Sequence, residues 1–341
     1  MKIKDAIHPD QNERLAYLRA ENERLNGNLS SLVARLGKQQ ELADRIAAAV
    51  PAAEPLRPLP RPTTARPGTP VAACLLLSDF HIGERISAAE TEGFGAFDWS
   101  VAQKRLRSIT EDFVRWIQTQ RHGYKIDQCA VFGLGDYISG DIHRELSVTA
   151  EFPVPVQAAK AGVLIGETVA RLASAFRSVD FYAVGADNHG RLTPKPQCKQ
   201  KATNSMSFVV HAIARAYLAS HRNVRMVEAE GMKYVATVAG WKFLLEHGDT
   251  VRAWMGIPYY GLERERAREA TRRMNTDRTF HYEVMGHWHL PGLVAGNIIV
   301  NGSLSGTSEY DHAAGRHSPP AQVAFLVSPK HGLFNLVPFH G

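Results

Sequence analysis

Short clusters of aspartate, asparagine and histidine recur along the chain, in most cases beside a glycine. There are five of them: Ser78–Gly83, Gly135–Asp136, Asp187–Gly190, His247–Asp249 and Gly286–His289. Mixed oxygen and nitrogen ligands suit divalent ions such as Mn, Fe, Zn or Ni. Two such ions about 3.5–4 Å apart can stabilise both the attacking and the leaving oxygen in a displacement at phosphorus. The clusters therefore indicate a site that could hold divalent metal ions.

Each cluster follows an apolar run that predicts a β-strand. The predicted strands are Val71–Ser78, Gln128–Gly133, Asp180–Val184, Trp241–Glu246, His281–Met285, Ile298–Asn301 and Gln322–Val327, and the predicted helices are Val101–Gln120, Val156–Arg177 and Ala202–Ala219. This alternation predicts a layered α/β domain. Loops beyond the carboxyl ends of strands form the binding crevice in such folds, so the five clusters should meet there. A single cluster would fit an ordinary turn or a buried histidine, but five in succession indicate a site.

In this order, the clusters resemble the motifs of the calcineurin-like metallophosphoesterase superfamily, over residues 71–341. The resemblance implies an α/β fold, a β-sandwich of two mainly mixed sheets flanked by helices, with two divalent metal ions at one edge. Manganese is our first choice for these ions, with iron, zinc or nickel as alternatives. The implied ligands are Asp79, His81 and His289 for the first metal, Asn188, His247 and His287 for the second, and Asp136 as a bridge between them.

The resemblance also implies that His189 touches no metal and assists the leaving group, while a hydroxide bridging the metals at Asp136 attacks phosphorus. One motif departs from the family pattern. Asp187 stands where the family usually has glycine, and Gly190 stands where it usually has an acid. The acid that would orient His189 is therefore missing, and Asp187 and Asp141 are our candidates to replace it.

Several features of the sequence bear on the branch of the family. The segment after Asp136 lacks the Asp-Arg-Gly signature of serine/threonine phosphatases, and Gly286–His289 looks like the closing motif of phosphodiesterases and repair nucleases. Residues 140–146, 189–199 and 301–306 are similar to phage and prophage metallophosphoesterases. We therefore expect a phosphodiesterase acting on nucleic acid or nucleotides. The alternatives are a phosphomonoesterase for protein or small-molecule phosphates, and a non-catalytic dimeric scaffold.

Basic side chains beside the clusters are candidates for binding the phosphoester substrate, which could be DNA or RNA. His143 and Arg144 come shortly after Asp136, and Arg191 comes shortly after His189, followed by Lys195 and Lys199. Cationic side chains near the metals would bind a phosphate-rich substrate through charge-assisted hydrogen bonds. The alternative is a solvated loop without a ligand.

A second basic segment contains aromatic residues. Trp254, Tyr259 and Tyr260 precede a predicted helix whose arginines recur at intervals of four residues, at Arg264, Arg268 and Arg272. Such a surface could bind a nucleic-acid backbone and stack bases. The interleaved Glu263, Glu265 and Glu269 leave open the alternative of ordinary surface ion pairs.

The composition is that of a globular protein. The 341 residues carry a formal net charge of +6, with 44% hydrophobic and 22% charged residues, so wholesale disorder is excluded. No apolar run is long enough to span a bilayer, the start does not look like a secretory signal, and three cysteines are too few for a disulfide framework. We expect a cytoplasmic protein without a membrane partner.

The chain divides at residues 51–70, which hold seven of its 18 prolines and predict an extended linker. It separates residues 1–50 from a catalytic domain over residues 71–341. In the first part, six leucines fall on positions a and d of a heptad, namely Leu15, Leu18, Leu25, Leu29, Leu32 and Leu36, and Asn22 occupies an a position. This pattern predicts a helix with a parallel coiled coil and a homodimer through residues 10–48. The alternative is that the leucines pack against the catalytic domain.

Overall fold

The computed structural model of the chain describes residues 14–31, 33–34 and 68–341. Most of the predicted linker over residues 51–70 and both ends of the predicted dimerisation segment over residues 10–48 lie outside the described residues. The predicted boundaries at residues 50 and 70 therefore stay predictions.

Residues 14–31 and 33–34 are helical, and we call these residues α1. Leu15, Leu18, Leu25 and Leu29, the seam residues described there, are all exposed within this unit. The Asn22 side chain accepts a hydrogen bond from Asn26 Nδ2 at 2.8 Å. The helix agrees with the sequence pattern, and the coiled coil and homodimer stay predictions.

The rest of the described chain contains two β-sheets. The six-stranded sheet has the order β11-β10-β1-β2-β3-β4, from β1 (Thr69–Leu77), β2 (Tyr124–Gly133), β3 (Ser178–Ala183), β4 (Val224–Glu228), β10 (Ala321–Ser328) and β11 (Gly332–His340). The five-stranded sheet has the order β5-β6-β7-β9-β8, from β5 (Lys233–Val238), β6 (Trp241–Glu246), β7 (Tyr282–Met285), β8 (Gly292–Val294) and β9 (Ile298–Val300). Strands β1 to β4 are parallel to one another, as are β6, β7 and β9. The five strands that precede the polar clusters are therefore parallel within their sheets.

Helices flank the sheets: α2 (Trp99–Gln120), α3 (Arg144–Thr149), α4 (Val154–Ala175), α5 (Met206–Leu218), α6 (Tyr259–Arg273) and α7 (Glu309–Ala313). None of the helices in the described part of the chain is long and apolar enough to cross a membrane.

The core has two layers, one between the sheets and one between the six-stranded sheet and the helices. Phe132, Phe243 and Phe325 meet between the sheets, with ring centroids 5.6 Å and 5.7 Å apart for Phe132–Phe243 and Phe243–Phe325. On the other face of β1, Leu75 packs in one buried cluster with side chains from α2 and α4. Because β1 is covered on both faces, its sequence is a continuous apolar run from Val71 to Leu77. The fold is thus the predicted α/β sandwich of two sheets flanked by helices.

Some elements differ from the sequence-based expectation. All seven predicted strands are present, Trp241–Glu246 with the predicted ends and the other six with shifted ends, but β4, β5, β8 and β11 were not predicted. Strands β4, β5, β8 and β11 lie at sheet edges and are only partly buried, so their apolar periodicity is weak. The predicted helix Ala202–Ala219 begins only at Met206, because the Ser205 side chain caps the helix by accepting from the Ser207 backbone N–H.

Candidate metal centre

The five polar clusters lie together at one edge of the sandwich. The loops after β1 and β2 are joined by two backbone hydrogen bonds, from Asp79 N to Gly135 O at 3.0 Å and from His81 N to Asp136 O at 3.1 Å. The loops after β6 and β7 are joined by a bond from Gly286 N to His247 O at 3.0 Å. Main-chain pairing therefore sets the positions of the side chains before any ligand binds.

The first group of potential ligands comprises Asp79, His81 and His289, whose offered atoms all lie within 4.8 Å of one another. Nε2 of His81 and Nε2 of His289 are 3.3 Å apart, and the latter is 3.4 Å from Oδ1 of Asp79. These are the three residues that the resemblance assigns to the first metal.

The second group comprises Asp136, His247 and His287, again with offered atoms within 4.8 Å of one another. Nε2 of His247 lies 3.0 Å from Oδ2 of Asp136 and 2.9 Å from Oδ1 of Asn188. The structure thus brings Asn188 to the same place as the three acidic and histidine side chains. The bridging role of Asp136 stays a prediction.

Five of these seven residues have left-handed backbone conformations. The φ angles are 55° at Asp79, 50° at His81, 48° at Asp136, 65° at His287 and 51° at His289. Non-glycine residues adopt this region at a cost in free energy, and such residues cluster at functional sites, where the surrounding structure enforces them. Close packing requires glycine at the neighbouring position 286, since a Cβ on Gly286 would collide with the Asp79 carboxylate.

A buried network of polar side chains holds the Asp79 carboxylate in place. Ser78 Oγ donates to the Asp79 carboxylate, and Asn301 Nδ2 donates to Ser78 Oγ at 2.9 Å. The Gln322 side chain accepts from Ser78 N at 3.0 Å and from Asn301 Nδ2 at 2.9 Å. Sequence reasoning missed Gln322, whose only signal is a polar residue inside an otherwise buried strand.

The imidazole of His247 is oriented by the backbone. Its Nδ1–H donates to the carbonyl oxygen of Leu134 at 2.8 Å, which leaves Nε2 facing Asp136 and Asn188. Metal-binding histidines usually donate their second ring N–H to such an acceptor, which fixes both tautomer and orientation.

The orienting partner of His189 differs from our expectation. Its Nδ1 lies 2.7 Å from the carbonyl oxygen of Ser139. Asp187 does not orient the ring, because its carboxylate instead accepts from the backbone N–H of Asp136 at 2.8 Å and from the hydroxyl groups of Ser205 and Ser207. A backbone carbonyl takes the role expected of an acid, and Asp187 supports the loop of Asp136.

Asp141, the other expected partner of His189, is exposed. Its position therefore gives no reason to assign it the orienting role, which the Ser139 carbonyl already fills.

The pKa values of the buried groups indicate how the site handles charge. Burial and the neighbouring His189 lower the pKa of His81 to about 3, and burial and His247 lower that of His287 to about 4. Burial alone would lower the pKa of His247, but the charge and hydrogen bond of Asp136 raise it to about 10. His81 and His287 are thus held neutral, the form in which imidazole binds a metal.

The donor set fits two divalent cations. Asp79 and Asp136 are buried carboxylates, and buried charges need a compensating partner. Without a metal, a proton on His247 supplies part of that positive charge. The two groups would each hold one cation, Asp79, His81 and His289 on one side and Asn188, Asp136, His247 and His287 on the other.

Arg191, one of the substrate-binding candidates, lies beside the candidate ligand Asn188. Its Nη1 donates to the carbonyl oxygen of the candidate ligand Asn188 at 3.0 Å, and its Nε donates to the carbonyl oxygen of Thr193 at 3.1 Å. Together with Lys199 and Asn204 it lines a small pocket that also contacts Asn188. Two backbone acceptors thus fix the guanidinium beside the second group.

His143 and Arg144 lie earlier in the chain than Arg191, at the exposed start of α3. Gly140 packs against the backbone of His189, since a Cβ there would collide with the His189 carbonyl oxygen. The short segment 140–143 therefore connects the backbone beside His189 to His143 and Arg144. Contact of these two side chains with substrate stays a prediction.

Glu84 is a further acidic side chain near the centre that sequence reasoning missed. Burial raises its pKa to about 7, although the nearby His189 and His289 act in the opposite direction. It follows His81 by three residues, and no motif in the sequence distinguishes it.

Comparisons with known proteins give remote likenesses. No protein-family model matches the chain, and no curated protein matches it. Similar solved structures include a single mutant of Vps29 from Entamoeba histolytica, with 14% identity, TM-score 0.31, and coverage of 79% of this chain and 99% of that one. Wild-type Vps29 from the same organism, complexed with Zn²⁺, has 14% identity, TM-score 0.30, and coverage of 79% and 99%. An uncharacterized predicted phosphoesterase from Streptococcus pneumoniae has 11% identity, TM-score 0.29, and coverage of 79% and 97%.

Proposed function

We propose that the chain is a two-metal-dependent phosphodiesterase that acts on nucleic acid or nucleotides. The observation that carries this proposal is the pair of three-residue groups at one sheet edge, each with a buried carboxylate and two imidazoles. When bound, two divalent cations would activate a water molecule and stabilise the negative charge that develops on the phosphoryl group. The sequence of five motifs supports the same chemistry.

The ligand side chains prepare the site for that chemistry. Asp79 is held by Ser78 and by the backbone N–H of His287, which donates to Oδ1 at 2.9 Å. Oδ1 of Asp136 accepts from the backbone N–H of His189 at 2.9 Å. Because both carboxylates are fixed by the protein, little reorganisation is needed when a substrate enters.

His189 is placed to move a proton. The Ser139 carbonyl accepts from its Nδ1–H, so the imidazolium form of His189 can give its Nε2 proton to the departing oxygen and keep the Nδ1–H. Its ring contacts that of His81 edge to face, with centroids 4.6 Å apart, beside the first group. A histidine here can act as a general acid without binding a metal.

The basic residues near the second group support a phosphate-rich substrate. The fixed guanidinium of Arg191 and the Lys199 side chain border the pocket beside Asn188. A guanidinium in a fixed orientation suits phosphate recognition, since its planar fork matches the phosphate oxygens.

A paired assay tests this function. Metal-stripped protein refilled with Mn²⁺ is compared on bis-p-nitrophenyl phosphate and p-nitrophenyl phosphate, with Asp136→Asn as the inactive variant and Asp141→Asn, an exposed aspartate, as its control. We expect preferential hydrolysis of the diester, loss of that activity in Asp136→Asn, and retention in Asp141→Asn. Preference for the monoester would favour the phosphatase alternative, and no activity on either substrate would favour the scaffold.

A further inference from the structure

A tight turn projects from the segment that follows the ligand His247. Trp254 and Ile257 exchange two backbone hydrogen bonds, at 3.0 Å and 2.8 Å. Between them, Met255 and Gly256 have φ angles of 48° and 81°. Two successive residues with positive φ form the type of two-residue turn that closes a β-hairpin. The turn has a defined conformation, and we call residues 254–260 the aromatic turn.

The aromatic turn exposes large apolar side chains. Trp254 is 66% exposed, Met255 87%, Ile257 58%, Tyr259 50% and Tyr260 60%. The rings of Trp254 and Tyr260 contact each other, with centroids 6.4 Å apart. Contiguous exposure of this kind marks a binding surface, because single exposed apolar residues are common but a cluster is not.

The turn is attached to the candidate metal centre. Val251 before it and Leu262 after it are buried together with Met285 in one cluster, against which Trp288 packs. Trp288 separates the ligands His287 and His289, and its ring centroid is 5.1 Å from that of His287. The aromatic turn is therefore mounted on residues that contact the centre.

A close approach of two backbone segments fixes the beginning of α6. Gly261 lies directly against the backbone of Arg252, where a Cβ would collide with the carbonyl oxygen. The close approach of the two backbones holds the two ends of the aromatic turn together.

The ion-pair alternative holds for part of α6, including Arg272, the third arginine of the predicted basic face. Glu265 accepts from Lys233 Nζ at 2.9 Å, and Glu269 accepts from Arg273 Nε at 2.8 Å. Two of the three glutamates thus pair with Lys233, Arg272 and Arg273. Arg264 and Arg268 remain on the exposed face, about 6 Å apart along the axis. This face complements an anionic ligand.

We propose that the aromatic turn, together with Arg264 and Arg268, binds single-stranded nucleic acid and leads it to the metal centre. Bases stack on Trp254 and Tyr260, and the arginines contact the backbone phosphates. A single strand is favoured over a duplex because only unpaired bases offer their faces to protruding aromatic side chains. The inference rests on the proposed function and specifies its substrate class.

Fluorescence anisotropy tests the inference. Labelled single-stranded DNA, single-stranded RNA and duplex DNA are titrated with the Asp136→Asn variant, so that cleavage does not interfere. Adding Trp254→Ala and Tyr260→Ala should weaken single-strand binding at least tenfold, since stacking on an aromatic side chain contributes about 1–3 kcal/mol per base. Tyr310→Ala, at an exposed tyrosine outside the turn, is the matched control and should leave binding unchanged.

The arginines have a separate readout. Arg264→Ala with Arg268→Ala should reduce the slope of log affinity against log salt by about 0.7 for each phosphate of a single strand that the arginines no longer neutralise. Unchanged single-strand affinity in the aromatic variant, or equal binding of single strands and duplex, would overturn the inference. Variant-sensitive binding to anionic phospholipid vesicles without binding to single strands would also overturn it and reassign the surface to a membrane.

The two proposals fail in different ways. If the protein binds single strands tightly through the aromatic turn but hydrolyses neither test ester, the proposed enzymatic function is wrong and the proposed binding surface stands. If the protein hydrolyses the small diester but the aromatic-turn variant binds single strands as tightly as the parent, the proposed function stands and the proposed binding surface is wrong.

Discussion

At the scale of the residue, His189 combines a fixed ring with a free nitrogen. The hydrogen bond from Nδ1 to the Ser139 carbonyl sets the tautomer, and the backbone N–H of the same residue contacts Asp136. Its orientation is therefore coupled to the loops of the candidate metal centre, although the side chain is not among the candidate ligands.

Replacing His189 separates catalysis from metal binding. We expect His189→Ala to lower kcat on the diester about 10²–10⁴-fold, the usual contribution of a general acid, with unchanged metal content. Steady-state kinetics and metal analysis on the same preparation measure both, and His122→Ala at an exposed histidine is the control. Unchanged turnover would remove His189 from the mechanism.

His247 should make metal binding dependent on pH. In the metal-free protein its pKa is raised to about 10, chiefly by Asp136 against the effect of burial. It is therefore protonated at pH 7–9 and must lose that proton to bind a cation, so affinity should rise with pH up to about 10. Titration calorimetry at pH 8 in buffers of different ionisation enthalpy should show about one proton released at this site. The absence of proton release would contradict this account.

At the scale of the element, β6, β7 and α6 enclose a group of charges behind the centre. Glu283 on β7 is fully buried, and burial together with Glu246 raises its pKa to about 9. Lys233, paired with Glu246, Glu265 and Glu269, supplies a positive charge in the same group. The position of α6, and with it the aromatic turn, depends on these contacts.

Glu283 should make the stability of the fold depend on pH. Its pKa in the folded state lies above the ordinary value of 4.5, so the folded state holds the proton more tightly than the unfolded state between these values. Its contribution to stability is present below about pH 4.5 and is lost as pH rises towards 9, by at most about 1.4 kcal/mol per pH unit. Urea unfolding of Glu283→Gln from pH 5 to 9 should show a flatter profile than wild type.

The control for this experiment is Glu263→Gln, at an exposed glutamate of α6. It should keep the pH profile of the wild-type protein. A Glu283→Gln variant with the same slope as wild type would show that the buried carboxyl is not the group that titrates.

The types and order of the candidate ligands could be predicted from the sequence, since Asp79, Asn188 and His287 carry metal-binding groups and come after apolar runs. The partner of His189 could not, because a backbone carbonyl such as that of Ser139 can belong to any residue type. The left-handed backbone at Asp79 and His289 also leaves no mark in the sequence, as it is enforced by tertiary contacts. For the same reason the ion pairs of Glu265 and Glu269 with Lys233 could not be predicted from the sequence.

At the scale of the whole molecule, the heptad spacing of the α1 leucines predicts self-association. We expect a homodimer in which Asn22 faces its counterpart, since a buried asparagine at an a position favours two parallel strands. Leu18→Glu with Leu25→Glu should give a monomer in analytical ultracentrifugation at micromolar concentration. Ala20→Glu, on the opposite face of the helix, should leave the dimer intact. A monomeric wild-type protein would exclude this prediction.

Two cations held by the five loops are the central claim of this account. Anomalous diffraction at the manganese edge, from crystals grown with Mn²⁺, tests it most directly. We predict two peaks, one among Asp79, His81 and His289 and the other among Asn188, Asp136, His247 and His287. A single peak, no peak, or peaks away from these residues would contradict the two-metal centre.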